Sequence, residues 1–341
     1  MTTPAASPPP QSLTAHLNDL ETALRSAIGA EKGGLAASSR YVMGWEDEAG
    51  RPTTTGGKRI RPALCLLAAE VLGGSALEAM PGAVAVELVH NFSLVHDEIQ
   101  DRDAERHHRP TIWRLVGEAQ AINIGDFLLT HAIRALSESA TPPERRLAAL
   151  NALLTATDDM IGGQWSDLSF EPRGDVSIED YLAMVEGKTG ALIGAPLQIG
   201  AILSGAPKDQ SDRLRDWGRK VGLAFQVQDD ILGIWGNPAI TGKSNQNDLA
   251  RHKKTLPVIA ALSAPSTQGH LSRLFAQENP PTTEIEAVSL QMEAEGIREI
   301  AEEYAQSFVD AAGTLLNDLG LHEEEREQLA TVARYLIQRA G

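Results

Sequence analysis

The chain has 341 residues, 42% of them apolar, and its 46 acidic against 30 basic side chains leave a formal net charge of −16. That composition describes a globular protein rather than a disordered or membrane-embedded one, and its acidity argues against a nucleic-acid partner, which calls for a basic face. Cys65 is the only cysteine, so there is no internal disulfide framework, and a reducing, cytoplasmic setting is expected.

The N-terminus, MTTPAASPPPQS, has no basic segment and no apolar core, which excludes a secretory signal; residues 1–12 read as a disordered tail rich in Pro, Ala and Ser. Apolar residues then recur at helical spacing almost to the end, with no sustained alternation of the strand type. Residues 13–341 are therefore expected to form one large all-α domain, broken at Glu46–Gly57, Ser137–Pro143, Glu171–Val176, Gly233–Asn247 and Asn279–Thr283. Helix starts are predicted at Thr141-Pro-Pro-Glu144 and at two capping boxes, Ser177 with Asp180 and Thr283 with Glu286. The run Thr189–Pro207 lacks charge, yet its glycines, Pro196 and Gln198 make it a closely packed core helix and not a membrane span.

The first chemical feature in chain order is TTTGGKRIRPALCLL, which places Lys58, Arg59 and Arg61 between a Gly pair and a strongly apolar helix. Clustered cations at a helix start can grip a diphosphate, and they can equally be a solvated surface. Next comes VELVHNFSLVHDEIQDRDAERHHRPT. Asp97 and Asp101 lie four apart, on one helix face, with Glu98 and Asp103 beside them. Like charges at that spacing repel. They suit a magnesium ion that keeps waters and shares its shell with substrate phosphates, or an exposed acidic turn.

Further on, Lys188-Thr189 precedes the uncharged helix, and GLAFQVQDDILGIWG carries Asp229 and Asp230 inside an apolar run. Gln226 shares a face with Asp230. Adjacent buried aspartates must be metal-bound or held in a satisfied hydrogen-bond network. Lys243, Lys253 and Lys254 follow. Two acidic clusters far apart in sequence suggest helices that clamp a metal–diphosphate group.

The segments GGKRIRP, SLVHDEIQD, RPT, IGDFLL, GGQWSDL, EGKTGALI, FQVQDDILG and KKTLPV, in this order from Gly56 to Val258, resemble the trans-isoprenyl diphosphate synthase (polyprenyl synthetase) family. The resemblance implies a bundle of mostly antiparallel helices around a central cavity, usually as a homodimer, with several magnesium ions per site. It also implies a reaction: an allylic diphosphate ionises, isopentenyl diphosphate attacks the cation, and a longer trans-prenyl diphosphate forms with release of pyrophosphate.

Position by position, Asp97, Asp101 and Asp229 resemble the metal ligands, with Asp230 in support. Arg106, Lys188 and Lys253 resemble the cations for the allylic diphosphate, and Lys58, Arg61 and His90 part of the isopentenyl diphosphate site. Thr189 and Gln226 resemble the polar groups near the developing cation. Phe92, five residues before Asp97, resembles the floor that stops the growing chain, which implies a medium-length product, geranylgeranyl in preference to farnesyl. The sequence departs from the pattern at Gly233 and Asn237, where an aspartate is common, and at His107, where a second arginine usually grips isopentenyl diphosphate. A class I terpene cyclase or diphosphate lyase is the first alternative, which His107 favours and Lys58, Arg61 and His90 oppose. A non-catalytic regulatory subunit is the second, opposed by the retained aspartates.

Overall fold

The computed structural model describes residues 8–53, 56–236, 247–277 and 279–339. Asn237 and Lys243, most of the expected break between Gly233 and Asn247, and the first seven residues of the tail lie outside them.

The described residues are helical almost throughout, as their 3.6-residue apolar period demands. In chain order the helices are α1 (Gln11–Thr14), α2 (Leu17–Ile28), α3 (Gly34–Val42), α4 (Ile60–Val71), α5 (Ala76–Gln100), α6 (Ile112–Val116), α7 (Glu118–Ser137), α8 (Pro143–Phe170) and α9 (Ile178–Val185). A π-helical turn, Glu186–Gly190, leads into α10 (Ala191–Ser204) and α11 (Lys208–Trp235). Then follow α12 (Asn247–Ala250), α13 (Leu256–Ser263), α14 (Pro265–Phe275), α15 (Thr282–Ala294), α16 (Ile297–Asn317) and α17 (Glu323–Arg339). Among the described residues the strands are β1 (Glu105–Arg106) and β2 (Arg109–Pro110), an antiparallel pair, with one isolated bridge between Glu46 and Pro52.

Local sequence explains several boundaries. Ser177 accepts from the Asp180 N–H while the Asp180 carboxylate accepts from the Ser177 N–H, the predicted capping box at α9. The box predicted at Thr283 and Glu286 does not form. Pro281, with its φ already fixed, occupies the N-cap, so α15 starts at Thr282 and Thr283 lies inside the first turn. The three glutamates of Glu323–Glu325 occupy the first turn of α17, where the helix dipole favours negative charge.

The described residues gather into two compact units, one of Gln11–Thr157 with Ala195–Leu214, the other of Asp158–Gly194 with the described residues from Arg215 onward. In the first-named, the α4/α5 unit, α5 packs on α4, α2 and α7 and buries side chains on all its faces. Small residues bring α10 in close. A Cβ on Gly200 would lie 2.0 Å from the Cys65 carbonyl oxygen, and one on Gly82 2.5 Å from Ile199. The uncharged stretch is thus a core helix, and no helix of the described residues is long and apolar enough to cross a membrane. In the other, the α9/α11 unit, Tyr181, Met184 and Val185 of α9 pack with Leu223, Val227 and Ile231 of α11, Ile259 of α13 and Ala301 of α16.

Candidate active site

Each unit carries its own group of predicted residues. In the α4/α5 unit a cavity of about 550 Å³ is lined by Lys58, His90, Glu98, Arg106 and His107. They come from the turn before α4, the C-terminal half of α5 and the β1–β2 hairpin. Arg61 is not on the wall. It is half-buried, with Nη1 3.2 Å from His90 Nε2. A guanidinium has only donors, so His90 Nε2 accepts and its proton resides on Nδ1. Burial, followed by the charges of Arg61, Arg106 and Arg59, holds His90 well below the ordinary imidazole range, and it is neutral. Arg61 Nε and His90 Nδ1 are buried without an acceptor in the protein. Each such donor costs about 1–3 kcal/mol. An anion in the cavity would relieve the uncompensated positive charge behind it.

Arg59 borders the same cavity, yet its charge is already paired, contrary to the expectation from its neighbours. Its side chain turns into the core and is bound there by carboxylates. Glu98 also departs from its sequence neighbours: it is buried, faces Arg106 at 3.8 Å, and burial pushes its carboxyl up to about 7 against the pull of Arg106. It lines the cavity instead of joining Asp97 and Asp101.

His107 and His108 form the two-residue turn of the hairpin, with φ of 50° and 60°. Two central residues with positive φ match the twist of the flanking strands, as in a type I′ turn, although Asn-Gly is the usual choice there. Without that signal the sequence read as helix and loop only. Burial, and then Arg106 and His108, hold the His107 pKa below 6.5.

Asp101 caps the C-terminus of α5, its N–H donating to the Asp97 carbonyl at 2.8 Å. The two carboxylates therefore stand at the negative end of a 25-residue helix, on the same edge, where a cation and not a further anion is favoured. Phe92 is buried on α5 and stacks edge-on against His96, with ring centroids 4.8 Å apart.

In the α9/α11 unit, Asp229 and Asp230 part ways. Asp230 is buried and accepts from the Tyr181 hydroxyl, from Gln226 Nε2 at 3.0 Å and from the Leu256 N–H at 3.2 Å. Burial pushes its carboxyl up to about 7, while the Tyr181 and Gln226 hydrogen bonds favour the ionised form. It is a satisfied network member. It also orients Gln226, whose Oε1 accepts from Thr189 Oγ at 3.1 Å. Asp229 is partly exposed. One turn further along α11, Gly233 leaves room for the Asp248 carboxylate of α12: a Cβ on Gly233 would lie 2.0 Å from Asp248 Oδ2. A carboxylate thus occupies the space where the family pattern commonly has an aspartate side chain. Lys253 is exposed just beyond, its N–H donating to the Asp248 carbonyl at 3.0 Å. Lys254 instead stands over the Phe275 ring.

Lys188 sits in the π-helical turn and donates to Asp167 of α8 at 2.5 Å. Backbones meet here. A Cβ on Gly163 would lie 2.3 Å from the Lys188 nitrogen, and one on Gly187 2.7 Å from the Asp159 carbonyl. The GGQWSDL segment thereby has a physical role: Gly163 admits the turn and Asp167 holds Lys188. Gly163→Ala is expected to lose about 1–3 kcal/mol of stability by overpacking and to lower turnover. Gly162→Ala, where a Cβ meets nothing within 4 Å, should leave both near wild type. Thermal melting and steady-state rates of the pair check this.

Sequence reasoning missed Tyr181, Asp167 and Asp248. Only Asp167 had a signal, its place in a family segment; the other two are defined by partners far along the chain.

The donor set fits magnesium. Hard carboxylate oxygens come in small numbers at each place, and among the described residues no three acidic, histidine or cysteine side chains enclose an ion alone. Such sets suit an ion whose remaining ligands are water and phosphate.

The family model described as polyprenyl synthetase matches residues 45–292. The chain is 43% identical over 305 residues to the (2E,6E)-farnesyl diphosphate synthase of Mycobacterium tuberculosis, covering 88% of this chain and 84% of that protein. It is 38% identical to the geranylgeranyl diphosphate synthase of the same organism, covering 88% and 86%. The crystal structure of a polyprenyl synthetase from Streptomyces coelicolor A3(2) superposes with a TM-score of 0.86 at 38% identity, covering 95% of this chain and 99% of that one. With the fold, the cavity and these likenesses in agreement, the chain belongs to the polyprenyl synthetase family and has its all-α isoprenoid synthase fold.

Proposed function

We propose that the protein is a magnesium-dependent prenyltransferase that condenses isopentenyl diphosphate with an allylic diphosphate. The observation that carries this reading is the cation-lined cavity beside the Asp97–Asp101 end of α5, with the unsatisfied donors of Arg61 and His90 next to it. An enzyme that only ionised or cyclised one substrate would have no use for this second anion site.

Lys58 and the half-buried Arg61 hold the diphosphate of isopentenyl diphosphate, with His90 and His107 beside them. Arg106, Lys188 and Lys253 hold the allylic diphosphate. Asp97, Asp101 and Asp229 would hold magnesium, with Asp248 supplying the carboxylate that Gly233 lacks. When bound, the metal neutralises negative charge that builds up on the departing pyrophosphate. Thr189 donates its hydroxyl hydrogen bond to Gln226 Oε1, which leaves its oxygen lone pairs to face the developing cation; Asp230 keeps Gln226 in place. The allylic C–O bond breaks, the isopentenyl double bond forms the new C–C bond, and the released pyrophosphate takes the proton whose loss restores a double bond. The product is farnesyl or geranylgeranyl diphosphate, the activities named for the two mycobacterial relatives.

A homodimer goes with this reading. In the α4/α5 unit α8 exposes Leu147 and Leu154, and in the other unit it exposes Ile161 and Trp165, the last 77% accessible. Sedimentation of the pure protein tests it.

Incubating the pure protein with isopentenyl diphosphate, magnesium and each allylic primer tests the activity. Elongated diphosphates support the proposal; ionisation or cyclisation of the primer without elongation overturns it.

His107 supplies a pH prediction. A bound diphosphate favours its charged form, whereas partial burial, with Arg106 and His108 nearby, lowers its pKa in the free protein. Affinity should therefore rise as pH falls from the bound-state pKa towards the free-state one, and be weakest where His107 stays neutral. In His107→Arg the charge does not titrate. The KM for isopentenyl diphosphate should fall by about ten-fold at pH 8, one charge-assisted hydrogen bond, and by less at pH 6. Equal KM values for the two proteins at both pH values would remove His107 from the site.

A further inference from the structure

Lys58, Arg59 and Arg61 are adjacent in sequence, yet Arg59 alone is sealed in the core of the α4/α5 unit, its side chain 3% exposed. Nε donates to Glu21 of α2 at 2.7 Å, Nη1 to Glu87 of α5 at 2.7 Å, and Nη2 to the Met43 carbonyl after α3 at 3.0 Å. Its backbone is left-handed, φ 50° and ψ 37°, a conformation that L-residues other than glycine, Asn and Asp adopt at a cost. Such a geometry persists only where its surroundings over-determine it. Three charge-assisted or carbonyl hydrogen bonds from one planar group do so here.

The guanidinium also lies beneath the turn that carries Lys58. A Cβ on Gly56 would come within 3.4 Å of Arg59 Nη2, and one on Gly57 within 3.7 Å of Nη1. The glycine pair lets the turn rest directly on this group. Glu87, the innermost anchor, stands one helical turn before His90 and also accepts from Asn91 Nδ2 at 3.1 Å. The clamp therefore ties the Lys58 turn to the stretch of α5 that also lines the cavity.

We infer that Arg59 is a positioning residue: its clamp on Glu87, Glu21 and Met43 holds the left-handed turn that presents Lys58 to the isopentenyl diphosphate cavity. The inference rests on the proposed use of that cavity. Arg59 borders the cavity, but its guanidinium is already bound by Glu21, Glu87 and the Met43 carbonyl, so it acts through the placement of Lys58. A lysine could not replace it, because one ammonium on a flexible stem cannot span three acceptors in different directions.

Removing Arg59 alone would strand the buried Glu87 carboxylate and endanger folding. The test therefore uses the paired variant Arg59→Met/Glu87→Met, with Glu21→Gln as a milder variant at a partly exposed anchor and Lys58→Ala as a control. The paired variant should keep a cooperative melt and the wild-type KM for the allylic substrate. Its KM for isopentenyl diphosphate, and its Kd for isopentenyl diphosphate alone by calorimetry, should rise about ten-fold. Glu21→Gln should show the same selective change, about three-fold. If Lys58→Ala weakens isopentenyl diphosphate binding while the folded paired variant binds as wild type, the role of Arg59 is overturned. Should the paired variant not fold, unchanged binding in Glu21→Gln overturns it instead. If Lys58→Ala itself binds as wild type, it is the reading of the cavity that fails.

Discussion

Asp97→Asn and Asp229→Asn are each expected to lower turnover by about a hundred- to a thousand-fold or more, the scale on which removing one group that stabilises developing charge acts. Asparagine keeps the shape of aspartate and loses its charge, so the change isolates metal binding. Folding should not suffer. Asp97 lies one turn before Asp101 at the C-terminal end of α5, where repulsion between the two and with the helix dipole costs some tenths of a kcal/mol, about 0.3–1 in all. Asp97→Asn should therefore melt at the wild-type temperature or slightly above while activity collapses, the pattern of a site kept for function at the expense of stability. Asp230→Asn should behave differently. That carboxylate holds Tyr181, Gln226 and the Leu256 N–H in a buried network, so its loss should lower the melting temperature as well as the rate. Excess chelator should silence the wild type. Full turnover in chelator, or in either of the first two variants, would falsify the metal-assisted mechanism.

Phe92→Ala is expected to shift the product distribution to longer chains. The residue lies five positions before Asp97 on α5, so the rise of the helix separates the two by about 7.5 Å, roughly one and a half turns. An aromatic ring at that depth can stop a prenyl chain that grows away from the metal end. The ring is also a packing element against His96, and truncating a buried phenylalanine costs about 3–5 kcal/mol. The variant must first be shown to melt cooperatively; Phe92→Leu, which gives up less volume, serves where it does not. Chromatography of dephosphorylated products then reads the outcome. A folded, active variant with the wild-type distribution would assign Phe92 to the core alone.

Much of this was readable in the amino-acid order because it depends on neighbours within a turn or two. The helical class follows from the apolar period, the start of α9 from Ser177 and Asp180, and the shared edge of Asp97 and Asp101 from their spacing of four. The uncharged stretch from Thr189 read correctly as a core helix because its small residues and Pro196 argued against lipid. Where local rules competed, the reading slipped. Thr283 looked like a cap, but Pro281 started the helix first.

Long-range contact settled the rest. Three basic residues in four positions carry no information about which of them turns inward, and Arg59 does so because Glu21, Glu87 and the Met43 carbonyl meet it from three other elements. Asp229 and Asp230 are equivalent by composition. Tyr181, 49 residues earlier, and the Leu256 N–H, 26 residues later, make one of them a buried network member and leave the other partly exposed. Gly233 reads as a missing aspartate until Asp248 is seen in the space its side chain would fill. A carboxylate's or guanidinium's role is set by which donors or acceptors replace its water, and in a folded chain those partners come from segments whose separation in sequence says nothing of their proximity.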